Sequence, residues 1–158
     1  MSDTDPGKHF LFPGGLYVSA PECLITTVLG SCVSVCLWDP LLRAGGMNHF
    51  MLPLWNGEGL ATPKYGSIAM DKLLEKMLKL GCLQQRLVAK VFGGANLSGT
   101  DHQILMIGDR NIMLALQTLE QWGIPVTASD LGGRYGRKLI MNTSTGEVLL
   151  GRNYRTAV

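Results

Sequence analysis

Ser31-Cys32-Val33-Ser34-Val35-Cys36-Leu37-Trp38, closed by Asp39-Pro40 and answered by Gly45-Gly46-Met47-Asn48-His49-Phe50-Met51-Leu52-Pro53, is the stretch on which the fold turns. The first run alternates with period two, as a β-strand does when successive side chains point to opposite faces. Asp39-Pro40 ends it, because proline starts turns and cannot continue a hydrogen-bonded ladder. Residues 45–52 read as the returning strand, stopped by Pro53. If the two pair as a hairpin, a turn centred at Pro40–Leu41 places His49 directly opposite Cys32. A turn centred one or two residues later makes them diagonal neighbours on one face. Either register leaves the two side chains in reach, since cross-strand neighbours lie ~4.5–8 Å apart.

Outward from this hairpin, residues 16–20 and 23–29 are short apolar, β-branched runs separated by Pro21. Residues 53–66 carry Pro, Gly and Asn and read as a surface loop. A helix is expected from Ser67 to Leu80, with Met70, Leu73, Leu74, Met77 and Leu78 on one face and Gly81 as its left-handed stop. A second helix is expected from an N-cap at Asp109 to Trp122, ended by Gly123. Strands are expected at 86–92, 124–129, 137–142 and 147–153. Strands outnumber helices and their order is mixed. The expected fold is therefore α/β, a largely antiparallel sheet system packed with two main helices. One domain is expected over residues 1–158, with 1–10 as a flexible N-terminal segment.

The bulk numbers narrow the function classes. Of the 158 residues 46% are hydrophobic and 16% charged, which supports a real core and opposes disorder. The net charge is +2, and no Lys/Arg run is longer than Arg137–Lys138. Nucleic acid and membrane surfaces are therefore disfavoured as partners, since both call for a clustered basic face. The acidic start, Met-Ser-Asp-Thr-Asp-Pro, reads as neither a signal nor a transit peptide. No segment approaches the ~20 apolar residues that span a bilayer, so membrane insertion is not expected and the cytoplasm is. The four cysteines, Cys23, Cys32, Cys36 and Cys82, are then expected as thiols rather than disulfides. Cys32, Cys36 and His49 match three quarters of a zinc-finger spacing, but Phe50-Met51-Leu52-Pro53-Leu54-Trp55 supplies no fourth ligand. No metal or cofactor is expected.

Cys32 beside His49 can do chemistry. A thiol near its ordinary pKa is mostly protonated at neutral pH, and a neighbouring imidazole is the usual means of generating thiolate. The imidazolium can then protonate a leaving amine. Taken singly, each residue has a plainer reading. A cysteine in an apolar strand is usually a small buried side chain, and a histidine between Asn48 and Phe50 is often just a satisfied core group. Glycines before both residues, Gly30 and Gly45-Gly46, would allow the close backbone approach that a substrate carbonyl needs.

The runs Thr26-Thr27-Val28-Leu29-Gly30-Ser31-Cys32 and Gly45-Gly46-Met47-Asn48-His49-Phe50-Met51-Leu52-Pro53 resemble the signature of the CheD family. Lys64-Tyr65-Gly66, Lys90-Val91-Phe92-Gly93-Gly94-Ala95-Asn96, Ile107-Gly108-Asp109-Arg110-Asn111 and Leu131-Gly132-Gly133 agree with it. The likeness spans residues 12–152. It implies an α/β fold similar to that of the deamidating toxins, and an enzyme that converts glutamines of bacterial chemoreceptors to glutamate in chemotaxis adaptation. It also implies a Cys-His-Thr triad: Cys32 as nucleophile, His49 as base, and Thr26, six residues before the cysteine, as third member, with the adjacent Thr27 left open. The implied partners are the receptor's cytoplasmic helices and a CheC-type phosphatase, for which the chain could instead act as a binding module. A general cysteine peptidase is the weaker rival, since no separate specificity motif is present. A glutamyl methyl ester would meet the same thiolate, so ester hydrolysis is the side activity to expect.

Overall fold

The expected hairpin forms. In the computed structural model, which describes residues 5–97 and 106–154, β4 (Val33–Asp39) pairs antiparallel with β5 (Ala44–Asn48). Cys36 faces Met47 and Asp39 faces Ala44, and the same register returns past the end of β5, where Val33 pairs with Phe50. Asp39 sets the turn. Its Oδ1 accepts the backbone N–H groups of Leu41 and Leu42 at 3.0 and 3.1 Å, and Arg43 takes a left-handed φ of 55°. Arg86 donates its Nε to both carboxylate oxygens and its Nη2 to Oδ2 at 2.8 Å. Burial works against ionising Asp39, but these donors outweigh it and hold the carboxyl below its usual range.

β4 is the centre of a five-stranded sheet, ordered β2 (Leu16–Ser19), β5, β4, β6 (Val88–Gly93), β7 (Val126–Leu131). A second sheet runs β1 (Gly7–Phe10), β3 (Cys23–Leu29), β8 (Tyr135–Asn142), β9 (Val148–Tyr154). Among the strands of the described residues, β1–β3 and β6–β7 pair parallel and the other pairs antiparallel, so the sheets are largely antiparallel. The period-two pattern of β4 divides two cores. Val33, Val35 and Leu37 face α1 (Gly66–Lys79) and α2 (Ile107–Trp122), where Met70, Leu73, Met77, Ala115 and Leu119 are buried. Cys36 and Met47 point the other way, into a core shared with Ile25, Leu29, Leu139 and Met141 of the second sheet. The chain is thus layered sheet, sheet, helices.

The sequence expectations need a few corrections. Residues 7–10, placed in a flexible segment, are strand β1, while 1–4 lie outside the described residues. α2 starts after Met106 rather than at Asp109, which lies in its first turn. The returning strand ends at Asn48, because the Asn48 side chain replaces the ladder there: its Oδ1 accepts the Val35 N–H at 2.8 Å. Gly81 and Gly123 have the positive φ expected of helix stops, 101° and 69°. Among the described residues no helix is long and apolar enough to cross a membrane.

Candidate active site

The two sheets face each other, and the site lies between them. β3 ends at Leu29, and the chain crosses from one sheet to the other through Gly30, Ser31 and Cys32 before β4 begins. With Cys36 across from Met47 and Val33 across from Phe50, His49 stands across from Ser34. Cys32 is then its diagonal neighbour on the inter-sheet face, the second of the two registers expected from the sequence. The Cys32 side chain packs against the inter-sheet core and is half-buried.

His49 is pinned at both ends. Its backbone N–H donates to the Gly15 carbonyl at 3.1 Å, and its carbonyl accepts the Gly14 N–H at 2.8 Å. Its ring Nδ1 lies 2.7 Å from Thr27 Oγ1. The same hydroxyl donates to the Leu11 carbonyl, also at 2.7 Å. A hydroxyl has one hydrogen, and a carbonyl can only accept. Thr27 therefore gives its proton to Leu11 and accepts from His49, so the neutral ring carries its proton on Nδ1. Nε2 is left with its lone pair, buried and without a hydrogen-bond partner among the described residues.

Thr27, not Thr26, is the threonine at the imidazole. β3 buries Cys23, Ile25, Thr27 and Leu29 toward the other sheet, and Thr26 points from the opposite face, where it lines a shallow cleft with Lys8, Lys138 and Ile140. The strand alternation that fixes this was present in the sequence, but Leu24 and Val28 on the outer face are as apolar as Ile25 and Leu29 on the inner one. The phase was therefore unreadable.

Burial tunes the pair. The Cys32 thiol is pushed up from its ordinary value by burial, which its own backbone N–H only partly opposes. His49 is lowered to about 4, again by burial. The resting pair is thus a neutral thiol and a neutral imidazole with its acceptor nitrogen open, rather than the thiolate that a neighbouring imidazole usually generates. Cys36, fully enclosed, is pushed up to about 12 and is part of the core.

Glycines shape the surroundings. A Cβ at Gly46 would collide with Val18 and Tyr17 of β2, so this glycine admits a neighbouring strand rather than a substrate. Gly93 has φ 109°, and a Cβ there would run into the Cys32 carbonyl. Asn111 is a residue whose role the sequence did not reveal. Wholly buried on α2, it donates its Nδ2 to the carbonyls of Ser31 at 3.1 Å and Met51 at 3.0 Å. Beside it opens an apolar groove of about 640 Å³, lined by Leu52, Pro53, Tyr65, Ile107, Leu114 and Arg110. Ile107 also lines a smaller cavity that reaches Ser31.

The CheD family, described as CheD chemotactic sensory transduction, matches residues 51–152. A protein of Trichlorobacter lovleyi named "Probable chemoreceptor glutamine deamidase CheD" is 68% identical over 155 residues, 96% of each chain. Proteins of the same name from Sulfurimonas denitrificans and Vibrio vulnificus are each 45% identical, over 90% and 92% of this chain and 92% and 72% of theirs. The family match begins after His49, so the likeness across residues 32–49 rests on these long alignments. The chain belongs to the CheD family.

Proposed function

We propose that this protein is a cytoplasmic hydrolase that deamidates glutamine side chains on chemoreceptors, with Cys32 as nucleophile, His49 as general base and acid, and Thr27 orienting the imidazole. The observation that carries the reading is the relay from Leu11 through Thr27 to His49, which leaves Nε2 as an unpartnered acceptor on the face that carries Cys32.

Because both resting groups are neutral, the proton leaves Cys32 as sulfur attacks. Nε2 takes the thiol proton, and sulfur bonds to the carboxamide carbon. The carbonyl oxygen becomes an oxyanion beside the N–H groups of the Ser31–Cys32 loop. Collapse breaks the carbon–nitrogen bond, and Nε2–H hands its proton to the departing ammonia. Water, deprotonated by Nε2, attacks the thioester, and the protonated imidazole returns a proton to sulfur. One glutamine and one water become one glutamate and one ammonia. Throughout, Nδ1–H stays on Thr27, so each protonation takes place at Nε2.

The apolar groove with Arg110 suits an amphipathic helix, as a receptor's cytoplasmic helix would be. It suits a second reading as well, in which the chain binds a CheC-type phosphatase. A pure binder has no use for the Thr27–His49 relay, so the enzyme reading is preferred. Incubation with a receptor cytoplasmic fragment, followed by peptide mass mapping and ammonia assay, separates the two. Conversion of particular glutamines to glutamate with matching ammonia supports the enzyme. Stable binding without conversion would leave only the binder.

A further inference from the structure

The loop that carries Cys32 has three consecutive carbonyls tied down. Ala95 N–H donates to the Gly30 carbonyl at 3.0 Å, and Gly94 N–H donates to the Cys32 carbonyl at 2.9 Å. Between them, the Ser31 carbonyl is held by a side chain, Asn111 Nδ2, at 3.1 Å. The second proton of the same amide goes to the Met51 carbonyl at 3.0 Å, two residues after His49. One amide thus joins the segment of the nucleophile to the segment of the base. The amide orientation is fixed by its partners, since a flipped Asn111 would set its oxygen against two carbonyl oxygens.

The peptide linking Ser31 and Cys32 is trans, as are all peptide bonds among the described residues. In a planar trans peptide the C=O and the following N–H point in opposite directions. Drawing the Ser31 carbonyl toward α2 therefore turns the Cys32 N–H away from the helix. It faces the thiol side of the loop, where that N–H counters part of the burial effect on Cys32. An oxyanion formed by attack of this sulfur develops on that side.

We propose that Asn111 is a positioning residue for the oxyanion hole: through the Ser31 carbonyl it holds the Cys32 N–H toward the substrate's carboxamide oxygen. This rests on Cys32 being the nucleophile. Asn111 touches neither substrate nor sulfur. Its effect belongs to the transition state, in which the carbonyl oxygen becomes charged, and not to binding of the neutral amide.

The test compares two reactions of the same thiol in the full-length protein. Deamidation of a receptor cytoplasmic fragment passes through an oxyanion. Alkylation of Cys32 by iodoacetamide, a displacement at carbon, does not. In Asn111→Ala, kcat for deamidation should fall by about ten-fold to a hundred-fold, with KM and the Cys32 alkylation rate each within about two-fold of wild type. Asn111→Ser, which keeps one donor in a smaller side chain, guards against a folding failure and should recover part of the lost kcat. Equal slowing of alkylation and deamidation in both variants would make Asn111 merely structural and overturn the proposal. So would an unchanged kcat in Asn111→Ala beside an inactive Cys32→Ala. Full activity in Cys32→Ala would instead remove the nucleophile reading on which the proposal rests.

Discussion

Acidification tests the buried, neutral His49 without reference to any substrate. His49 is 1% exposed, hydrogen-bonded through Nδ1, and lowered from 6.5 to about 4 by burial. Between those values the unfolded chain binds a proton at this ring and the folded chain does not. Stability contributed by the neutral ring is thus whole above about pH 6.5 and drains away as pH falls toward about 4. At ~1.4 kcal/mol per pH unit for one proton, the loss over that window is about 3 kcal/mol. Carboxylates of the unfolded chain also begin to take up protons toward the acid end of this window, so the quantity to read is the difference between wild type and His49→Gln. Urea unfolding followed by tryptophan fluorescence gives it, from about pH 7 down to about pH 4.5. Wild type should lose stability relative to the variant steadily below about pH 6.5, by roughly 2–3 kcal/mol at the acid end. A wild-type-minus-variant difference that is flat with pH would show that the folded ring takes up its proton as readily as the unfolded one, and the buried neutral base would fall.

Thr27→Val should lower kcat for deamidation by at least about ten-fold, because the ring loses the acceptor that fixes its tautomer, while Thr26→Val should leave kcat within about two-fold. The reverse pattern in steady-state kinetics would restore Thr26 to the site. Brief iodoacetamide treatment and peptide mapping should label Cys32 ahead of Cys23, Cys36 and Cys82, because the last three are buried; first labelling at Cys82 would contradict the described burial. Asp39→Ala should cost roughly 2–4 kcal/mol in urea unfolding, below the full figure for a buried pair because Arg86 keeps some solvent contact. A loss under about 0.5 kcal/mol would mean that Asp39 does not hold the hairpin turn.

How much of this was legible in the sequence varied with how local the cause was. The β4–β5 hairpin could be read because its alternation, its Asp39-Pro40 turn and its glycines all lie within some twenty residues, and the register followed to within one step. β1 could not. Gly7-Lys8-His9-Phe10 has no alternation of its own and becomes a strand only by parallel pairing with β3, a non-local contact. Thr26 and Thr27 were inseparable because both faces of β3 are apolar, one covered by the other sheet and one half-exposed. Asn111 looked like part of a helix start. Its role depends on α2 being laid against two loops 60 and 80 residues earlier in the chain, which no local pattern records. The resting state of Cys32 was hidden for a related reason. A neighbouring imidazole suggested a thiolate, but the same enclosure that brings the two together also desolvates both.

The central claim is that the half-buried cysteine in the crossing loop, and not its neighbour four residues along the same face, carries the reaction. The most direct measurement is single-turnover deamidation of a receptor cytoplasmic fragment by Cys32→Ala and Cys36→Ala, each first shown to be folded. Cys32→Ala should release no ammonia above background, with wild-type stability apart from a small cavity cost, and Cys36→Ala should retain most of the wild-type rate. Persistent deamidation by folded Cys32→Ala, or its loss in folded Cys36→Ala alone, would contradict the account.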